Sequence, residues 1–324
     1  MLDIAADRAV VRRLYARGVI SREARDEAID WLRPRVQWAR WSALSLLFIG
    51  VALVLAGIVC FLSLNWSRLN DTTKLALPAA GIIGCLIGAT GTGFRTLGGR
   101  LWMLGATVLV GAELGVYGDV TRSGAPEYLL FASWAAFITA WVVVSRFAAQ
   151  WLLWLVIINI AVILFFDRPG YRDATAFTVL GLVDAAALAG FEFIRWRGGE
   201  WVARWFLRLV QAGALFYLTT STMWLTISRE DAGVLAWLGA FSLLPVLAGG
   251  YAFYRTRSDL LGLTLIALSA SMAVLTLLGR GWFEITHEAC AFLGFGFVVL
   301  GVVGGAVWWL MRVGREMKEE AARG

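Results

Sequence analysis

The chain is poor in the residues that build metal sites, disulfide frameworks and soluble surfaces. Its 324 residues include three cysteines, one histidine and five prolines, and only 16% of them are charged. The cysteines, Cys60, Cys85 and Cys290, stand in apolar context without CxxC spacing, so they indicate helix packing rather than a disulfide framework. A single histidine excludes an HExxH zinc motif and a two-histidine haem site. We expect no cofactor.

Motifs for nucleotide hydrolysis and serine catalysis are also missing. The sequence has no GxxxxGK[ST] and no GxSxG, and no arginine ladder crosses an apolar run. The stretch GTGFRTLGG at residues 91–99 resembles a phosphate-binding loop, but it joins two apolar runs instead of following a strand, so that interpretation fails. The net charge of +6 would suit nucleic-acid binding in a soluble protein. Its distribution here indicates membrane topology instead, and we expect no nucleic-acid partner.

What the chain has in excess is apolar sequence. Hydrophobic residues make up 60% of it and the mean hydropathy is +0.73, whereas soluble domains are about one-quarter charged and lack repeated long apolar runs. A helix of about 20 apolar residues crosses the hydrocarbon core of a bilayer. We therefore predict an all-α, polytopic transmembrane helix bundle with about ten spans, whose main partner is the lipid bilayer. The predicted spans are 42–64, 75–94, 101–118, 128–145, 147–166, 174–194, 207–227, 234–254, 260–279 and 290–311.

Positive charge is unevenly divided between the two sides of this predicted bundle. With a cytoplasmic N-terminus, the cytoplasmic segments carry 22 of the 29 Lys and Arg residues. The positive-inside rule then predicts that both termini are cytoplasmic, which requires an even number of spans. We predict the bacterial cytoplasmic (inner) membrane as the location. We expect no cleavable signal peptide, because the first forty residues are polar and rich in arginine.

The N-terminal segment differs in composition from the rest. ADRAVVRRLYARG and SREARDEAIDWLRP each have helical periodicity, Gly18 suits the end of the first helix, and Ser21 suits the N-cap of the second. We predict a cytosolic amphipathic helical hairpin at 1–40, a transmembrane domain at 41–312 and a cytosolic tail at 313–324. The nine arginines of the hairpin leave two alternative partners, a cytosolic protein or anionic lipid.

Two carboxylates lie well inside apolar runs. At about 1.5 Å of rise per residue, Glu113 in the third run and Asp184 in the sixth fall near the bilayer centre. A charged side chain there costs at least about 2.5 kcal/mol, so each must face the bundle interior, be protonated or have a partner. Two interpretations stay open. Either the acids are hydrogen-bonded to a neighbouring helix, for example to Gln211 or to the hydroxyls at 219–222, or they form a functional polar site.

Glycine pairs four residues apart predict where helices approach closely. One such pair flanks Glu113, so we expect a second helix to contact the apolar run there and to direct the acid into the bundle. The pairs are Gly84/Gly88, Gly111/Gly115 and Gly301/Gly305.

The functional interpretation predicts a polar path through the bundle. Tyr117 lies one helical turn beyond Glu113 and extends the path toward the outer surface, where the turn TRSGAPE carries a polar cluster. The alternative interpretation of that cluster is ordinary loop solvation. The hypothetical substrate or proton path contains Glu113, Tyr117, Asn159, Asp184, Gln211, Thr219 and Thr220, and the outer-loop cluster contains Asp119, Arg122 and Glu127.

The stretch FEITHEAC is the one weak candidate for a metal site. It combines His287 with Glu284 and Glu288, but zinc sites usually have three or four well-placed ligands. Thr286 as an N-cap with Glu288 in the first helical turn explains the same letters. We therefore predict no metal at this stretch.

The order of features resembles domain-of-unknown-function family 2157, a group of predicted bacterial membrane proteins. The resemblance rests on LYARGVISREARDEAIDWL, a helical hairpin running into the first span, and on GAELGVYGDVTRSGAPEYLLFASWAAF. In the second stretch the family tends to show a Tyr, a Gly-Asp pair in the turn and a Leu/Trp-rich return helix, which Tyr117, Gly118, Asp119 and Trp134 match. The family often has Gln where this chain has Glu113 or a neighbouring position. The resemblance, which covers the first half of the chain best, implies a multi-helix inner-membrane protein.

Three function classes are compatible with these features. A transporter or permease of a small solute or lipid-like substrate is favoured by the number of helices and by the buried acids. The alternative is a membrane scaffold or sensor that acts through the N-terminal hairpin. The third is an integral membrane enzyme acting on a lipid, for which only Glu284–Glu288 offers a candidate cluster, so an enzyme is the least favoured class.

Overall fold

The chain is all-helical wherever its structure is described. The computed structural model describes residues 11, 14–15, 17–31, 42–43, 45–46, 49–50, 53, 57, 60, 64, 66–167, 173–228, 234–285 and 290–323. Within these residues there are ten α-helices, one short 3₁₀ turn at Trp66–Arg68 and no strand. The helices are α1 Arg22–Trp31, α2 Asp71–Thr92, α3 Leu97–Thr121, α4 Glu127–Ser145, α5 Ala148–Phe166, α6 Asp173–Trp196, α7 Arg204–Ile227, α8 Val234–Thr256, α9 Leu260–Ile285 and α10 Cys290–Arg323.

Contacts divide the chain into two units, residues 1–70 and 71–324. In the first unit, the predicted turn of the hairpin is confirmed. Gly18 has a φ of +70°, the left-handed conformation that favours glycine, and the Ser21 hydroxyl accepts a hydrogen bond from the backbone N–H of Ala24 at 3.1 Å. Most of the first hairpin helix and of the predicted span 42–64 lies outside the described residues.

The second unit contains eight helices that are long and apolar enough to cross a membrane. The prediction of a polytopic helical membrane bundle is thereby confirmed. Each predicted span after the first overlaps one of the helices α2–α10. Helix α7 is the exception in composition, because its 24 residues do not reach the hydropathy of the other eight.

Helix α7 nevertheless holds the centre of the unit. Consecutive helices from α2 to α10 pack against each other, as their short connections predict, and α7 additionally contacts α5 and α9. Ten of its residues are buried. One core cluster joins its first half to α5 and α6 around Phe206 and Phe191, and another joins Leu215 to α8, α9 and the distal part of α10.

Helix α10 is the longest helix and lies at the edge of these contacts. Its 34 residues extend for about 51 Å, whereas a hydrocarbon core is about 30 Å thick. In its distal part the buried side chains of Val313 and Met317 cluster with Tyr254 and Leu263. The Arg255 guanidinium adds an ion pair to Glu316 at 3.1 Å.

Candidate functional site: a buried Asn–Asp pair

Asp184 is buried at the junction of α5, α6 and α7. The residue is only 4% exposed. Asn159 on α5 donates its amide Nδ2–H groups to both carboxylate oxygens, over 3.2 Å to Oδ1 and 3.3 Å to Oδ2. From the α7 side the backbone of Gly213 approaches so closely that a Cβ atom there would lie 2.8 Å from Oδ2. The acid therefore lies between three helices, and the Asn159 side chain holds it.

The pair is incompletely satisfied. The Asn159 amide oxygen Oδ1 is buried and has no hydrogen-bond partner within the described residues, and an unsatisfied buried polar atom typically costs about 1–3 kcal/mol. Tyr217 lies one turn after Gly213 on α7, near enough to interact electrostatically with the Asp184 carboxylate, and its ring stacks on Phe177. An amide oxygen and a carboxylate thus lie together at one buried place, and the phenol of the half-buried Tyr217 is near enough to interact with the carboxylate.

Depth in the bundle places this pair near the middle of two spans. Asp184 is the eleventh residue of the apolar segment Ala174–Trp196, and Asn159 is the twelfth residue of Ala148–Phe166. At about 1.5 Å per residue, each lies about 15 Å from the start of its segment, which is half of a hydrocarbon core. The sequence predicted both residues separately as intramembrane polar groups but did not predict that they meet.

Glu113 lies elsewhere in the bundle. Its carboxylate Oε2 is buried and has no hydrogen-bond partner within the described part of the chain. The expected close approach occurs at Gly111, where an added Cβ would lie 2.5 Å from the Trp134 indole of α4, but Gly115 has open space. The Trp134 indole N–H donates to the Thr107 carbonyl oxygen at 2.7 Å, which fixes the α3–α4 contact next to the acid.

A second polar contact, between α5 and α3, was not predicted. Gln150 on α5 is fully buried and donates its amide Nε2–H to the Thr107 hydroxyl at 3.0 Å. Its Oε1 has no hydrogen-bond partner in the described structure. Gln150 stands at the beginning of an apolar run, where a polar residue is ordinarily interpreted as interfacial, so its burial could not be predicted from its position in the sequence.

Within the described residues, the α7 side chains suggested as partners of the two acids have other hydrogen-bond partners. Gln211 accepts from Arg208 at 2.6 Å and donates to the Gly262 carbonyl oxygen at 3.0 Å. Thr219 shares a hydrogen bond of 2.6 Å with Ser269, and Thr220 donates back to its own helix at the Phe216 carbonyl. Gln211 and Thr219 therefore join α7 to α9.

The outer-loop residues lie around one turn. Asp119 is in the last turn of α3, Arg122 ends that helix with a φ of +46°, and Glu127 begins α4. The Arg122 backbone N–H reaches the Asp119 carbonyl oxygen at 3.3 Å. All three are exposed, and Tyr117 is also 56% exposed, so Tyr117 does not extend a buried path from Glu113.

The weak metal candidate is only partly described. His287 and Glu288 lie outside the described residues. Glu284 pairs with Arg280 at 3.2 Å, and Arg280 also donates to the Thr226 carbonyl oxygen at 2.6 Å. Among the residues that the structure describes, no group of three or more His, Cys, Asp or Glu side chains is arranged to hold a metal ion.

These features define a polytopic helical membrane protein with a polar interior, and the family comparison agrees. Residues 12–151 match the model of a family described as predicted membrane protein (DUF2157), which confirms the resemblance inferred from the hairpin and from the third and fourth spans. The matched segment includes Glu113 and Tyr117 but ends before Asn159 and Asp184. No curated protein and no solved structure matches the chain.

Proposed function

We propose that this protein is a permease of the bacterial cytoplasmic membrane and that its substrate or coupling proton passes the Asn159–Asp184 pair. The observation that carries the proposal is a carboxylate buried at mid-depth. Within the described residues it accepts side-chain hydrogen bonds from Asn159, whose own amide oxygen has no partner there. Ionisable residues at this depth are expensive in a membrane and characteristically mark ion or substrate paths. The substrate would be a small solute or a lipid-like molecule.

The chemistry of the pair suits a transient ligand. A proton, a water molecule or a substrate N–H or O–H group would satisfy the Asn159 amide oxygen or the Asp184 carboxylate, and the Tyr217 phenol lies within reach of the same charge. Because residue 213 is a glycine, the α7 backbone comes so close to Oδ2 that any Cβ there would lie 2.8 Å from it. In a static packing contact, by contrast, we would expect every buried polar atom to have a partner.

Aqueous access to the pair tests this proposal. Cys60, Cys85 and Cys290 are replaced by serine, and single cysteines are introduced by Asn159→Cys and Tyr217→Cys. A membrane-impermeant thiol reagent is then added from each side in turn. We expect labelling at both positions from at least one side, and no labelling of Leu182→Cys, a matched control on the exposed surface of α6. A folded protein that is unlabelled at positions 159 and 217 from both sides would contradict the proposal.

The topology is part of the same proposal. We propose ten spans with both termini in the cytoplasm, the hairpin at 1–40 before them and the tail at 313–324 after them. Fusions of green fluorescent protein and alkaline phosphatase at successive loops test it. Fluorescence is expected from fusions in the 197–203 and 257–259 loops and phosphatase activity from fusions in the 122–126 loop. The reverse pattern would contradict it.

The second candidate function is a scaffold or sensor, and one observation favours it. Three apolar side chains at the hairpin turn are exposed within their unit, Leu14, Tyr15 and Val19, the last at 67%. A photo-crosslinking residue at Val19 in cells is expected to yield one discrete protein adduct that the same residue at exposed Arg17 does not. Cross-links to lipid alone would favour anionic lipid as the partner of residues 1–40.

A further inference from the structure

A cavity of about 820 Å³ opens between the end of α6, the start of α7 and the α8–α9 turn. We call it the arginine cavity, because four guanidinium groups line it. They stand with two carboxylates, so the cavity carries a formal charge of +2. Its charged lining consists of Arg195, Arg204, Arg208, Arg257, Glu192 and Asp259.

Contacts within the wall hold part of this charge in place. Arg208 forms an ion pair with Asp259, and its guanidinium lies 4.3 Å from the centre of the Tyr254 ring. Burial raises the pKa of Asp259, but the Gly262 backbone N–H and the Arg208 and Arg204 guanidinium groups outweigh burial and leave that pKa below its ordinary value. Asp259 therefore stays ionised, pairs with Arg208 and also interacts with the charge of Arg204.

The remaining arginines leave positive charge available. Arg257 lies 3.4 Å from Glu192, a long ion pair, and Arg195 donates to the Val202 carbonyl oxygen at 2.6 Å, which leaves its charge uncompensated. Arg204 is exposed and makes no hydrogen bond or ion pair with any residue that the structure describes. It begins α7 behind the N-cap residue Ala203, whose side chain makes no capping hydrogen bond, so the positive end of the helix dipole adds to the same field.

The rim of the cavity is apolar, unlike the surroundings of a site for a soluble anion. Trp205, Leu209 and Leu261 line it and are each about half exposed, at 49%, 51% and 56%. Helix ends of a membrane bundle lie at the level of lipid headgroups, where Trp is enriched. Arginine binds phosphate oxygens in a bidentate manner, and basic pockets between helices bind anionic headgroups.

We propose that the arginine cavity binds the phosphate headgroup of an anionic phospholipid, with Trp205, Leu209 and Leu261 against its glycerol and upper acyl region. Arg204 and Arg195, which form no ion pair within the described residues, supply the excess positive charge. This site is separate from the Asn159–Asp184 pair, and the proposal does not depend on whether the protein transports a substrate.

The test measures lipid binding to the full-length protein in phosphatidylcholine nanodiscs. Fluorescent phosphatidylglycerol is titrated in, and the variants Arg204→Gln and Arg315→Gln are compared. The second is the matched control, because Arg315 is exposed on α10 outside the cavity. A basic residue near the surface contributes about 1 kcal/mol to binding anionic lipid, so Arg204→Gln is expected to weaken binding about fivefold and Arg315→Gln to leave it nearly unchanged.

Two results would overturn the proposal. Equal affinities in Arg204→Gln and Arg315→Gln would show that only general surface charge attracts the lipid. Complete competition by inorganic phosphate at equal concentration would identify a site for a soluble anion rather than for a lipid. Unlabelled phosphatidylglycerol is expected to compete, whereas inorganic phosphate and phosphatidylcholine are not.

Discussion

Helices α7 and α10 reverse the relation between hydropathy and burial that soluble proteins show. Helix α7 is the long helix that falls short of the hydropathy of a membrane span, yet ten of its residues are buried. The apolar segment of α10, Phe292–Met317, has a mean hydropathy of 2.0 and none of its most apolar window is buried. In a bilayer the lipid is as apolar as a protein core, so the most hydrophobic helices can face the lipid. Polar side chains instead lie inside the bundle, where they form hydrogen bonds with one another.

The polar groups of α7 find partners on two neighbouring helices. Thr219 and Gln211 bond to α9, and the Ser221 hydroxyl shares a hydrogen bond of 2.7 Å with Thr178 on α6. The glycine pair of α10, Gly301/Gly305, was predicted to mark a close helix approach, but a Cβ at either position would meet nothing within 4 Å of the described structure. The same sequence signal therefore has different consequences on a central and a peripheral helix.

The largest effect is expected from a substitution on α8 that disrupts its packing against α6 and α7. In Gly239→Leu, the new Cβ would lie 2.2 Å from the Thr178 hydroxyl and 2.8 Å from the Ser221 hydroxyl. Overpacking a tight contact costs about 1–3 kcal/mol and more for a large side chain. We expect loss of the monodisperse peak in size-exclusion chromatography or a Tm lowered by many degrees. Gly304→Leu on α10, where there is open space, is the control, and an equal loss there would contradict the comparison.

The next effect removes a buried polar partner of α7. Gln211→Leu leaves the Gly262 carbonyl oxygen and the Arg208 guanidinium without the amide, at an expected cost of about 1–3 kcal/mol. Replacing a polar residue by leucine raises the hydropathy of the helix, so a hydropathy scale predicts the opposite sign. Unfolding in a denaturing detergent titration shows whether Gln211→Leu destabilises or stabilises the protein. Leu300→Gln, at an exposed position of α10, is the reciprocal substitution.

A pH-dependent effect is expected at Asp259, which lies in the α8–α9 turn and pairs with Arg208 near the start of α7. The pKa of Asp259 is lowered in the folded protein, so its ionised form stabilises the fold above the pKa of the unfolded chain, near 4. This contribution is lost as the pH falls through the folded-state value. We expect Asp259→Asn to be less stable than the parent by about 1 kcal/mol near neutral pH, with the difference shrinking below pH 4. A difference that is independent of pH would show that the charge is not responsible.

The smallest effect is expected from the single hydrogen bond between Thr219 and Ser269. A double-mutant cycle with Thr219→Val and Ser269→Ala measures the coupling of these two side chains. Hydrogen bonds between membrane helices average about 0.6 kcal/mol, so we expect a coupling of that size. For Thr276→Val on α9, whose hydroxyl donates to its own helix at the Met272 carbonyl, we expect no coupling to Ser269→Ala. A coupling near zero for Thr219 would mean that apolar packing alone positions α7.

The helices were predictable because lipid imposes a length and an apolar composition on each of them. The contacts were not, because they depend on how helices rotate about their axes, which local composition does not encode. Asn159 and Asp184 were each identified as intramembrane polar residues, yet their pairing, and the part played by Gly213 and Tyr217, required the α5–α6–α7 packing. The one sequence signal for the last two is their spacing of four residues on α7, which puts both on the face toward Asp184.

The arginine cavity illustrates the same limit at a membrane interface. Its residues come from two sequence segments about fifty positions apart, the α6–α7 connection and the α8–α9 turn. Charge counting assigned both segments to the cytoplasmic side, but it treated each arginine as a topological signal. That several of them converge follows from the contact of α7 with α8 and α9, which no property of either segment alone encodes.

The length of α10 has a practical consequence for imaging. About 20 Å of this 34-residue helix exceeds the thickness of the hydrocarbon core, and Val313, Met317 and Glu316 fix its distal part to α8 and α9. A soluble domain joined to this helix without a break in helical register would inherit a defined orientation relative to the bundle. Such a fusion would serve as a fiducial marker for electron cryomicroscopy, where a protein enclosed by its detergent micelle otherwise offers few features for particle alignment.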